Sequence, residues 1–111
     1  MSVERFETFE DFWPFYVREH SLSSTRTFHF IGTTLGLICF GLTVLTANLW
    51  FLFGGLWLSY GFAWFSHFFI EKNRPATFKY PIYSFLADFR MYYLMWRGQM
   101  QEEVNKIMSI Y

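Results

Sequence analysis

Three histidines, His20, His29 and His67, are the side chains of this 111-residue sequence best suited to chemistry. Neutral imidazole binds divalent transition metals through one ring nitrogen, and imidazoles joined by a carboxylate leave positions open on non-haem Fe(II) for substrate and dioxygen. Such a carboxylate is at hand. Glu71 follows His67 by four residues, so a helix sets both on one face with Tyr60 and Trp64. His29 shares a helical face with Gly32, Thr33 and Gly36, and Gly32-x-x-x-Gly36 is the small-residue spacing that lets membrane helices approach closely. It is therefore expected to face a partner helix. The candidate metal ligands, which are also the candidate catalytic residues, are His20, His29, His67 and Glu71. Spacing alone leaves other roles open for these histidines: hydrogen bonding between helices, axial ligation of a b-type haem in an electron-transfer or anchor subunit, or service in a non-catalytic scaffold.

The elements that must position these groups are written in the charge pattern. None of the 18 charged residues lies between Thr27 and Ile70, and 53% of the chain is hydrophobic, 25% aromatic. A crossing of a hydrocarbon core about 30 Å thick needs about 20 apolar residues. The uncharged block therefore fits two crossings, and Ala47-Asn48 supplies a polar turn at its middle. We expect spans at residues 30–47 and 49–70, forming an antiparallel hairpin that brings His29 and His67 to the same end. Arg18 and Arg26 precede the first span and Lys72, Arg74 and Lys79 follow the second, which by the positive-inside rule makes both termini cytoplasmic. His20 lies across the polar stretch Ser21 to Thr25, read here as a loop folding back over that end.

The flanks read as amphipathic helices on the membrane surface. Thr8-x-x-Asp11 caps a helix whose Phe9, Phe12, Trp13 and Tyr16 recur at helical spacing, with a kink expected at Pro14. A second helix is expected from Ile82 to Arg97, ending near Gly98, in which Asp88 and Arg90 pair with each other or with Glu71. In the tail, Val104, Ile107, Met108 and Tyr111 share one face. The fold class is all-α, a single membrane domain over residues 1–111. A net charge of zero offers nothing to nucleic acid, and the single Cys39 excludes a disulfide scaffold. The acidic N-terminal stretch lacks the apolar run of a cleavable signal.

Three stretches carry a resemblance: Phe15-Tyr16-x-x-x-His20, Thr25-Arg26-x-x-His29-Phe30-x-Gly32-Thr33, and Ala63-Trp64-x-x-His67-Phe68-x-x-Glu71-Lys72-Asn73-Arg74-Pro75-Ala76-Thr77-Phe78. They resemble the small membrane 2-hydroxy fatty acid dioxygenases typified by the fungal enzyme of phytosphingosine breakdown. In this short form, Ser66 stands where a glycine usually precedes the third histidine. The resemblance matches the family's histidines to His20, His29 and His67 and implies an Fe(II)-dependent removal of one carbon from a 2-hydroxy fatty acid by dioxygen, at a membrane. For a short form it implies a bacterial inner membrane, with the endoplasmic reticulum as the eukaryotic counterpart. A 2-hydroxy acid plus dioxygen gives the acid one carbon shorter, carbon dioxide and water with no external reductant. A chain without a nucleotide-binding glycine loop can therefore run it with iron alone. Arg26, Lys72 and Arg74 are then the candidates to neutralise the substrate carboxylate, their alternative role being positive-inside anchoring.

Overall fold

The computed structural model describes residues 6–110, and every regular element among them is helical. α1 spans Phe9–Arg18, α2 Ser23–Thr46, α3 Leu49–Ser66, α4 Pro81–Trp96 and α5 Met100–Ile110. One π-helical turn, His67–Glu71, continues α3, and a 3-10 turn, Ala76–Phe78, precedes α4. The described residues divide into two compact units, one made of residues 6–21 and 76–110, the other of Leu22–Pro75.

In the second unit, α2 and α3 pack side by side as a hairpin. The turn forms where the sequence placed it: Ala47 takes the left-handed conformation at φ 57° that ends α2, and Asn48 Oδ1 accepts the Trp50 amide at 3.0 Å to start α3. Small residues set the close contact. A Cβ on Gly36 would collide with Ser59 Oγ, one on Gly55 would lie 2.7 Å from Cys39 Cβ, and Ser59 Oγ donates to the Gly32 carbonyl at 2.8 Å. Such approach between backbones is what glycine spacing supplies in place of a hydrophobic driving force within lipid.

α2 starts at Ser23, well before the expected Phe30, so Ser23 to Thr25 are helix and not loop. The physical reason is that a first helical turn tolerates polar residues, because its amide groups lack partners within the helix in any case. Its most apolar stretch is largely outside the protein interior, and α2 is the one helix among the described residues long and apolar enough to cross a membrane. α3 does not meet that standard: it has 18 residues, with Trp, Tyr, Ser and Gly diluting its Leu and Phe. Its outer face is nonetheless apolar, with Trp50 79% and Trp57 81% exposed.

The first unit differs from the surface-bound amphipathic helices expected of it. Thr8 Oγ1 caps α1 by accepting the Asp11 amide at 3.1 Å, as the motif indicated. Phe12, Trp13, Tyr16 and Val17, however, are buried in a protein core with Ala87 and Met91 of α4 and Met100, Val104 and Ile107 of α5. Each helix buries its apolar stripe against the others, a pairing invisible to a reading of one helix at a time. Met100 takes the place expected of Met108, which is 49% exposed, and Tyr111 lies outside the described residues. α4 ends at Trp96, with Gly98 at φ 68° just beyond. Asp88 and Arg90 pair neither with each other nor with Glu71 in the contacts seen. The Tyr16 hydroxyl donates to Asp88, and Arg90 meets Glu10 at 3.2 Å while lying over the Phe9 and Trp13 rings. Helical positions two apart point to different faces, which is why Asp88 and Arg90 do not form a mutual pair.

Candidate metal centre

The buried stripe of α2 consists of Thr25, Arg26, His29 and Gly32. Gly32 fixes the depth of His29, because its missing Cβ would lie 3.0 Å from Phe62 Cβ and from the Ser59 carbonyl oxygen. On the other side of the hairpin, α3 widens into the π turn at His67. A π turn inserts the equivalent of one extra residue and re-aims the side chains after it, a device found often at functional sites. The turn ends at Lys72, which adopts the left-handed conformation at φ 63°. Such a residue without glycine's freedom carries a strain of about 1 to 2 kcal/mol. What holds it there is Asn73, whose amide donates to the His67 carbonyl at 2.9 Å.

Asn73 also grips the ring of His67. Its Oδ1 lies 2.7 Å from His67 Nδ1. An amide oxygen can only accept, so Nδ1 carries the proton and Nε2 is left with its lone pair. That Nε2 faces His29 Nε2 at 3.2 Å, with the two rings perpendicular and their centroids 5.1 Å apart. Two ring nitrogens converge from α2 and the π turn, both buried.

His20 belongs to the other unit, where its setting has the same chemical logic. Its Nδ1 lies 2.7 Å from the Tyr16 carbonyl oxygen, an acceptor only, so this ring too keeps its proton on Nδ1 and presents Nε2 as a ligand atom. The imidazole is buried and stacked on the Tyr16 ring at a centroid distance of 4.0 Å. The Tyr16 hydroxyl is committed to Asp88. Burial raises the Asp88 carboxyl to about 7, opposed by the hydrogen bond from Tyr16; burial, with the Asp88 charge second, also holds the Tyr16 hydroxyl well above the usual phenol range.

Glu71, placed beside His67 by simple helical spacing, acts on that ring through its charge and takes a hydrogen bond from elsewhere. Its Oε1 accepts the Leu22 amide at 2.7 Å, at the start of α2, and its charge acts on buried Arg26. The carboxylate ties the end of the π turn to the first turn of the helix that carries His29. Of the three cationic candidates for substrate, Arg26 is buried whereas Lys72 and Arg74 are exposed. Asn73 was not singled out from the sequence. The signal available was its place six residues after a histidine, where only a widened turn brings an amide back to the ring.

Within the second unit His29 and His67 are both buried and bring ring nitrogens to one point, donors suited to a divalent transition metal. The sequence of residues 6–100 matches the profile of the 2-hydroxy-palmitic acid dioxygenase Mpo1-like family. The chain belongs to the Mpo1-like family. No curated protein and no solved structure matches significantly, so the family assignment rests on that profile. The family is named for a dioxygenase of 2-hydroxy-palmitic acid. In this Mpo1-like chain the three stretches carrying the family resemblance contain His20, His29 and the π turn with Asn73, and the rings of His20 and His67 are oriented by carbonyl-type oxygens.

Proposed function

We propose that this Mpo1-like chain is an Fe(II)-dependent 2-hydroxy fatty acid dioxygenase that shortens its substrate by one carbon at a membrane. The observation that carries the reading is the His29 to His67 contact, with Nε2 atoms 3.2 Å apart and His67 Nδ1 locked by Asn73. His67 Nε2 presents its lone pair to His29 Nε2, a contact closed either by one proton on His29 or by a cation bound to both rings, so the donor chemistry fits a metal ion. His29 and His67 would hold it through Nε2, with His20 as the further ligand that the family resemblance implies. Neutral imidazoles suit iron, zinc and copper alike; dioxygen chemistry disfavours zinc, and the resemblance to Fe(II)-dependent enzymes favours iron. The perpendicular rings, with nitrogens so close, leave no slot for a flat porphyrin, which favours a small ion over haem.

Bound iron would supply the activation of dioxygen beside the bond to be broken. The protein's own residues do the rest. Asn73 and the Tyr16 carbonyl orient the imidazoles, buried Arg26 neutralises the substrate carboxylate, and Glu71 acts as a positioning residue by fixing Arg26 and the start of α2. Lys72 and Arg74, exposed after the π turn, serve as anchors at the membrane surface and meet the carboxylate on its way in. The acyl chain lies along the exposed apolar faces of α2 and α3. We place α3 with its π turn as a second crossing, so that both ends of the hairpin lie on the cytoplasmic side with the cationic residues.

The Asn73 bond makes a quantitative expectation. Asn73→Leu preserves size and removes the acceptor, so iron affinity should fall about 10- to 100-fold, the usual effect of losing a partner that orients a liganding histidine. Competition with a chelator measures it. Unchanged affinity would show that the ring needs no help from Asn73. The activity itself is tested by incubating the iron-loaded protein with 2-hydroxy-palmitic acid and dioxygen and analysing products, the fifteen-carbon acid being expected.

A further inference from the structure

Thr25 opens the buried stripe of α2 one helical turn before His29. Threonines in a helix commonly return their hydroxyl to the carbonyl four residues back, and Thr27, Thr34, Thr43 and Thr46 of α2 all do so, at 3.0, 2.8, 2.9 and 2.6 Å. Thr25 does not. Its Oγ1 is fully buried and has no hydrogen-bond partner among the described residues. A buried hydroxyl left in that state is costly, so its persistence on the face that carries His29 needs a compensating use.

We propose that the Thr25 hydroxyl reads the 2-hydroxyl group of the substrate, making Thr25 a specificity-determining residue. The inference rests on the reading given under Proposed function. Its chemistry follows from the two neighbours on α2. Arg26 is a cation and matches a carboxylate. Thr25 is a neutral alcohol, able both to donate and to accept, and it matches another alcohol. A substrate with a carboxylate and a hydroxyl on adjacent carbons meets both, while an acid lacking the hydroxyl leaves Oγ1 as unsatisfied as before. Sites built around a hydroxyl reject analogues without one for this reason.

The test is a binding measurement on the full chain in mild detergent, loaded with Fe(II) and kept free of dioxygen, titrated separately with 2-hydroxy-palmitic acid and with palmitic acid. Wild type should prefer the 2-hydroxy acid. Thr25→Val should weaken that ligand about 10-fold while leaving palmitic acid unchanged, and Thr25→Ser should restore the preference. Iron content should stay at the wild-type level in both variants. Because Oγ1 has no partner to lose, Thr25→Val should melt no lower than wild type. A variant that discriminates as wild type does overturns the role of Thr25 and leaves the dioxygenase reading standing. A wild type with no preference between the two acids overturns that reading, and the role of Thr25 with it. Failure of Thr25→Val to fold, or equal loss of both ligands with a lower melting point, makes the hydroxyl structural and also overturns the proposal.

Discussion

His67→Ala is expected to empty the site of iron and abolish turnover while the helices still form. The imidazole supplies one of two nitrogens only 3.2 Å apart, and the methyl group that replaces it offers no lone pair. Losing a direct ligand should cost more than the roughly 10- to 100-fold that removal of an orienting partner costs, so occupancy at micromolar iron should be negligible. His29→Ala should have the same effect. The double variant should be scarcely worse than either single one, because the two nitrogens act as one unit. Elemental analysis of the purified variants with circular dichroism checks this. Full iron and full activity in His67→Ala would remove it from the site.

Asp88 gives the second large effect, and its direction is set by a raised carboxyl. The group titrates near 7 in the fold against an ordinary value of 3.8, because burial disfavours its charge. Below about pH 4 it is protonated in both folded and unfolded chains and contributes no pH dependence. As pH rises from 4 to 7, the unfolded chain releases the proton and the folded chain retains it, so stability falls. Above 7 the full penalty is present, on the order of 4 kcal/mol for a shift of about three units. Asp88→Asn keeps an acceptor for the Tyr16 hydroxyl and never charges. It should therefore be more stable than wild type above pH 7 and lose most of the decline between pH 4 and 7, as read by thermal melts in detergent. An unchanged pH profile would show that Asp88 carries its charge in the fold at little cost.

Local signals in the sequence were legible where the physics is local. The Thr8 cap, the Ala47-Asn48 turn, the glycine approach at Gly32 and Gly36 and the stop near Gly98 each depend on a few consecutive residues, and each is found. The meeting of His29 and His67 also followed from a hairpin with one turn at its middle. The π turn was not legible, because one widened turn leaves no periodic trace, and neither was the bond from the Leu22 amide to Glu71. The core of α1, α4 and α5 was missed for a different reason. Tyr16 and Asp88 are 72 residues apart, as are Glu10 and Arg90 by 80, and composition cannot tell an aromatic stripe that meets protein from one that meets lipid. Asn73 was hidden by the first of these, since its role exists only after the turn has been widened.

The central claim is that a metal held by buried histidines oxidises a 2-hydroxy fatty acid without an added reductant, and stoichiometry tests it most directly. Iron-loaded protein in mild detergent is given 2-hydroxy-palmitic acid, and dioxygen consumed is compared with carbon dioxide and shortened acid formed. The account predicts that all three stand in equal amounts with no reductant present, because the substrate itself supplies every electron. No dioxygen consumed, or oxidation that proceeds only when an electron donor is supplied, would contradict it.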